Sequence, residues 1–148
     1  MKKKNLKKIF NNKKVLVTGH TGFKGSWLSL ILNHLGAITL GVSKSVPTNP
    51  SHYKIYKNFT KIKSKKIDIS NRKKTKKIIL NYKPDFIFHL AAQSLVKKSY
   101  SNPIDTWKSN TFGTINILDS LKNYKKKVCV VIITSDKVYE NVEKKNWL

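Results

Sequence analysis

The chain has one cysteine, one methionine, four prolines and six glycines among 148 residues. A single Cys129 cannot form an internal disulfide, so no disulfide framework holds this protein, and nothing points to an oxidising compartment. Its place in the run Val128 to Ile133 reads as core. That run is the longest apolar stretch and is six residues long, far short of the roughly 20 that a membrane-spanning helix needs. No membrane partner is expected. The four His and the one Cys form no cluster with ligand spacing, so no metal is expected either. Acidic residues are scarce: seven Asp+Glu stand against 31 Lys+Arg, a formal charge of +24. Arginine is scarcer still. Thirty of the basic residues are Lys and Arg72 stands alone. Arginine supplies the planar fork that reads bases and phosphates, so a surface lacking it is a poor nucleic-acid reader. The chain also holds 15 Ile and 14 Asn. Lys, Asn and Ile all have AT-rich codons, so a compositional bias of the genome accounts for the charge, and no nucleic-acid partner is expected. No apolar segment follows the basic stretch Met1 to Lys8, so it does not read as an export signal, and a cytoplasmic location is expected.

What is present suits one packed domain: 39% of residues are hydrophobic and 10% aromatic. Residues 1–13 read as a basic tail and 14–148 as the domain. Val15 to Thr18 is a short apolar run ending at Gly19, as a buried parallel strand would. Gly22 to Leu35 predicts a helix closed by Gly36; its apolar positions nearly encircle it, which predicts deep cover. Ala37 to Val42 is a second strand, and Ser43 to Thr60 reads as loop. Lys65 to Ile69 predicts a third strand, and Ser70 or Asn71 can cap a basic helix that Pro84 stops after Tyr82. Asp85 to Leu90 is a fourth strand. Asn102-Pro103 opens a helix reaching about Asn123. Val128 to Thr134 is a fifth strand, whose continuous apolarity predicts burial on both faces. The alternation gives an α/β fold: a Rossmann-type doubly wound parallel sheet of about five strands with right-handed crossovers. Ligands of such sheets sit beyond the carboxyl ends of the strands. Every notable polar cluster of this sequence falls on that edge.

Gly19-His20-Thr21-Gly22-Phe23-Lys24-Gly25 follows a strand and opens a helix. In that context Gly19 permits a tight turn, Gly22 lets a pyrophosphate approach the backbone, and Gly25 lets helix and strand touch. N–H groups at the helix start would bind the phosphates. Thr21 and Phe23 belong to the same turn. The end of the second strand, where a dinucleotide site often has a carboxylate for the ribose, is Ser43-Lys44. The choice between NAD and NADP therefore stays open. Asp68, after the third strand, is placed to meet an adenine amine or to cap the next helix.

The glycine motif, His89-Leu90-Ala91-Ala92-Gln93 after the fourth strand and Ser135-Asp136-Lys137 after the fifth resemble the extended short-chain dehydrogenases that act on nucleotide sugars. The likeness is closer to their CDP-glucose 4,6-dehydratase branch. It extends through His89 to Tyr100, Asn110-Thr111-Phe112-Gly113-Thr114 and Ser135 to Asn141, and covers Val15 to Trp147. The resemblance implies bound NAD and CDP-glucose as substrate. It implies oxidation at C4, water loss across C5 and C6, and hydride return to C6, giving CDP-4-keto-6-deoxyglucose for surface polysaccharide. By position, Ser135 would hydrogen-bond the C4 oxygen, Asp136 would protonate the leaving C6 hydroxyl, and Lys137 would assist the elimination. Which of Asp136 and Lys137 moves the C5 proton stays open. Cofactor contacts carried over in the same way fall on Gly19, Thr21, Gly22, Phe23, Gly25, Ser43, Asp68, Ile69, Leu90, Ala91, Ala92 and Thr134. A homo-oligomer is expected of the full-length enzyme.

The family's Tyr-x-x-x-Lys pair is absent; it would fall a dozen or more positions after Leu148. The chain thus reads as an N-terminal part of a longer enzyme, inactive alone, with the C-terminal substrate domain missing. Alternatives are another nucleotide-sugar dehydratase or epimerase, a non-catalytic NAD-binding module and a basic nucleic-acid binder.

Overall fold

The computed structural model of the chain describes residues 3–135. It contains the helix α1 (Lys3–Phe10), the strand β1 (Lys14–Thr18), α2 (Phe23–His34), β2 (Ile38–Ser43), the short α3 (His52–Tyr56) and β3 (Lys63–Lys66). It continues with α4 (Arg72–Tyr82), β4 (Phe86–His89), α5 (Val96–Ser101), α6 (Pro103–Trp107), α7 (Gly113–Asp119) and β5 (Cys129–Ile132). The five strands form one parallel sheet in the order β3-β2-β1-β4-β5. This is the expected doubly wound topology, and the order reverses between β1 and β4, where such sheets open a crevice.

Helices cover both faces. On one, Ile78 and Ile79 of α4 and Ile117 of α7 pack on Leu16, Leu40, Val42 and Ile87. On the other, Leu32 of α2 packs on Val15 and Val17, with Phe10, Phe86 and Phe88 alongside. Phe10 lies 5.0 Å from Phe86 and 6.2 Å from Phe88 between ring centroids. The basic stretch before β1 therefore carries a helix whose last residue seals this layer. The local signals set most boundaries. The Asn71 side chain accepts the Lys74 N–H at 3.0 Å and caps α4. That helix ends at Lys83, left-handed at φ 53°, just before Pro84. The Asp85 carboxylate accepts the Lys14 N–H at 2.8 Å and pairs with Lys126 at 2.7 Å, tying the amino ends of β1 and β4.

Several expectations fail, each for a tertiary reason. The segment expected to be loop after Ser43 contains α3 and a 3₁₀ turn at Lys57–Phe59. The third strand is Lys63–Lys66 and not Lys65 to Ile69, because β2 dictates the register from Leu40↔Lys63 to Ser43↔Lys66. All four of its residues are exposed, a charged edge that resists pairing with another chain. The deep cover expected of α2 is wrong: Gly25, Ser26, Ser29 and Leu32 face inward. Phe23, Trp27 and Ile31, spaced by four, lie exposed. Small residues take the inner face because the helix start presses on the β1 turn. The helix expected to run from Asn102 to Asn123 is interrupted by a π turn at Lys108–Phe112 and ends at Asp119. The fifth strand is not buried on both faces. No strand lies beyond β5 among the described residues; Val131 is 40% exposed and Cys129, read as core, is exposed. No helix among the described residues is long and apolar enough to cross a membrane.

Candidate functional site

At the end of β1 the chain turns at Gly19, with φ 75°, a value that L side chains rarely adopt. A Cβ on Gly19 would lie 2.7 Å from the Ala91 nitrogen and 2.8 Å from the Leu90 carbonyl carbon. The turn thus passes directly over the start of the segment that follows β4. A Cβ on Gly25 would overlap the Gly19 carbonyl oxygen. These two glycines are therefore required by packing. Gly22 differs. It is the N-cap of α2, with φ −75° and ψ 168°, conformations open to any residue. A Cβ there would meet only the Gly19 carbonyl oxygen, at 3.3 Å. Gly22 stands at the start of a 12-residue helix, whose first N–H groups have no partner inside the helix and whose dipole favours an anion. The cradle fits a pyrophosphate. Phe23 is 76% exposed beside it.

Behind the turn, His20 is buried over Gly41 of β2, where a Cβ would overlap its ring. Its Nε2 lies 2.8 Å from the Ser64 hydroxyl and its Nδ1 2.9 Å from that of Ser43. Ser43 also accepts the Thr21 N–H at 3.3 Å, and the Thr21 hydroxyl donates to the Ser45 carbonyl at 2.6 Å. Ser43, expected among the cofactor contacts, is buried and joins the end of β2 to the glycine turn. A glycine inside a strand marks close approach of another group, and that signal at Gly41 could have found the His20 contact. Gly41→Ala should cost about 1–3 kcal/mol by overpacking, read as a lower urea midpoint; an unchanged midpoint would mean that His20 swings away freely.

On the other side of the turn a directed chain of hydrogen bonds runs across the crevice. The Ala91 N–H donates to the Thr18 hydroxyl at 3.2 Å, and Thr18 Oγ1 lies 2.7 Å from His89 Nδ1. His89 Nε2 lies 3.0 Å from the Thr114 hydroxyl, which donates to the Asn110 carbonyl at 2.7 Å. Because Thr114 donates onward, it accepts from His89, which fixes Nε2 as the protonated nitrogen and Nδ1 as the acceptor for Thr18. His89 is thus the satisfied core histidine that its place at a strand end suggests. The Asn110 side chain accepts the Gln93 N–H at 2.7 Å and donates to its carbonyl at 3.0 Å. Asn110 and Thr114 lie in a stretch that carries the resemblance, but their roles and that of Thr18 depend on contacts remote in the chain.

Burial lowers His20 and His89 each to about 4; in His20 a bond to the Val42 backbone opposes this in part. Both rings are neutral in the folded chain at pH 7, and both bind protons near pH 6.5 when unfolded. Their depressed values make the folded state lose stability as pH falls from about 6.5 to 4, by up to about 3 kcal/mol apiece. A urea midpoint flat from pH 7 to pH 5 would contradict neutral, buried rings.

A cavity of about 720 Å³ opens beyond β4 and β5, lined among others by His89, Ala91, Ala92, Asn110, Thr134 and Ser135. It brings together residues that the sequence reading placed at two separate strand ends. The π turn contributes Asn110 and Thr111 to its wall; such turns often occur at functional sites. Asp136 and Lys137 lie outside the described residues. Asp68 and Ile69 sit on the far side of the sheet's midline. Asp68 accepts the Ser70 N–H at 3.0 Å and hydroxyl at 2.8 Å, and pairs with Lys44 at 3.1 Å. Burial alone would push its carboxyl up, but these partners together hold it below the usual range. Ile69 is buried against Gly113, and its carbonyl accepts from Asn116 at 3.0 Å.

Known proteins resemble this chain in sequence and in fold. The CDP-glucose 4,6-dehydratase of Salmonella typhimurium is 44% identical over 137 residues, 93% of this chain and 38% of that protein. An epimerase structure from Methanothermobacter thermautotrophicus superposes with a TM-score of 0.77 at 26% identity, over 95% of this chain and 40% of that one. The Thermus thermophilus UDP-glucose 4-epimerase in complex with NAD gives a TM-score of 0.64 at 25% identity, over 75% of this chain and 34% of that one. The chain therefore spans between about a third and two fifths of the length of these relatives. The family model described as GDP-mannose 4,6 dehydratase matches residues 16–147, nearly the whole chain, and the chain belongs to that family of nucleotide-sugar dehydratases and epimerases.

Proposed function

We propose that this chain is the dinucleotide-binding part of an NAD-dependent enzyme that converts CDP-glucose to CDP-4-keto-6-deoxyglucose. The observation that carries the dinucleotide half of the reading is the glycine turn, with Gly22 at the start of α2 between the packed Gly19 and Gly25. It is supported by the 44% identity to a CDP-glucose 4,6-dehydratase over 93% of the chain. The glycine turn would hold the pyrophosphate, with Thr21 bracing it from behind. Asp68 and Ile69 would border the adenosine end, and Leu90, Ala91, Ala92 and Thr134 the nicotinamide end. Bound NAD supplies a hydride acceptor for C4 of the hexose and the donor that reduces C6. Ser135, on the wall of the cavity, would hydrogen-bond the C4 oxygen and orient the sugar. Asp136 would donate a proton to the departing C6 hydroxyl. Lys137, adjacent to it, would stabilise negative charge developing on the sugar during elimination. Asp136 must then be protonated beside a cation that favours its ionised form, so a substrate-filled, dry pocket is part of the requirement.

A second reading, a nucleotide-sugar 4-epimerase, draws on the likeness to epimerase structures. The two differ in product. A full-length enzyme beginning with this chain should release water from CDP-glucose and give a 4-keto-6-deoxy sugar, seen as a new methyl resonance. Inversion at C4 with no methyl signal would support the epimerase.

A further inference from the structure

The end of β2 differs from that of a dinucleotide site built to reject a 2′-phosphate. Such a site places an Asp or Glu there, which bonds the ribose hydroxyls and repels an added phosphate, whereas a cation nearby accommodates it. Here the residues are Ser43, Lys44 and Ser45. Ser43 is buried and bonded to His20 and Thr21, so it is not free to take the role of the missing carboxylate. The Lys44 side chain is 67% exposed, and its ammonium lies 3.1 Å from Asp68 Oδ2. An ammonium has three donors, so one ion pair does not exhaust it. Asp68 is the one acid near this corner among the described residues, and Lys44 and both donors of Ser70 balance its charge. Across the sheet edge, Lys66 of β3 stands in register with Ser43, adding a second exposed cation.

Resting on the dinucleotide reading above, we propose that Lys44 makes this site accept a 2′-phosphate on the adenosine ribose, so that NADP is bound as well as NAD. Lys44 acts as a point charge on the phosphate while Asp68 keeps it oriented toward the ribose. The test is a calorimetric titration of the chain, at fixed salt, with adenosine 2′,5′-bisphosphate, 5′-AMP, NADP and NAD. The bisphosphate should bind about tenfold more tightly than AMP. Lys44→Met should abolish that preference while AMP affinity stays within about twofold. Lys125→Met, which removes the same charge before the amino end of β5, should leave the preference intact. If NAD and AMP bind and no preference for the 2′-phosphate exists, or if both Lys variants reduce it equally, the role of Lys44 is overturned and the dinucleotide site stands. If none of the four ligands binds, the dinucleotide reading falls and takes this proposal with it.

Discussion

Gly22→Asp is expected to abolish dinucleotide binding while leaving the fold standing. Its backbone angles suit any residue, and its Cβ would meet only the Gly19 carbonyl oxygen at 3.3 Å, so the turn must yield by a few tenths of an ångström. Aspartate is also a better N-cap than glycine by a few tenths of a kcal/mol, and its charge suits the helix start. The strain and the capping gain nearly offset. The same carboxylate would occupy the anion site. At roughly 5 Å from a phosphate, with an effective dielectric near 20, each repulsion is about 3 kcal/mol, so affinity should fall by at least about a hundredfold. Gly25→Ala makes the informative contrast. Its Cβ would overlap the Gly19 carbonyl oxygen, so it should destabilise the chain as well as weaken binding. Thermal melts beside NAD titrations separate the two. A Gly22→Asp chain that binds NAD normally would remove the glycine turn from the account.

Asp136→Asn in a full-length enzyme that begins with this chain should slow water loss by about 10²–10⁴-fold, the usual worth of a general acid. The amide keeps the shape but has no acidic proton to give the C6 hydroxyl. Oxidation at C4 precedes that step and should proceed at the parent rate. A 4-keto sugar that still carries its C6 hydroxyl should therefore accumulate in a single turnover, visible by rapid quench and mass spectrometry. Elimination at the parent rate would reassign the acid to another group, with Lys137 the neighbour to test next.

Much of the fold was legible because each strand of a parallel sheet is a short apolar run followed by a turn or cap residue. Val15 to Thr18 and Asn71 before α4 are such signals, and their consequences are local. The glycine spacing was legible for the same reason: the turn, the N-cap and the close helix contact are set within seven residues. What could not be read were consequences of distant contacts. The register of β3 is imposed by β2. The inward face of α2 is chosen by the β1 turn, so Ser26 and Ser29 lie inside while Trp27 lies out. Apolarity in β5 predicts burial on both faces, but apolarity alone does not say what covers each face, and Cys129 and Val131, two apart on one face, are exposed. The pairing of Ser43 with His20, and of His89 with Thr18 and Thr114, joins residues 23 to 71 positions apart. No local pattern encodes such bonds.

The central claim is that the chain serves an internal oxidation, dehydration and reduction of a nucleotide hexose. Its most direct test uses CDP-glucose carrying deuterium at C4, turned over by a full-length enzyme that begins with this chain, with the product read by proton and deuterium NMR. The label should leave C4 and appear in the new methyl group at C6. Label that stays at C4 with inverted configuration, or that is lost to solvent, would contradict the claim.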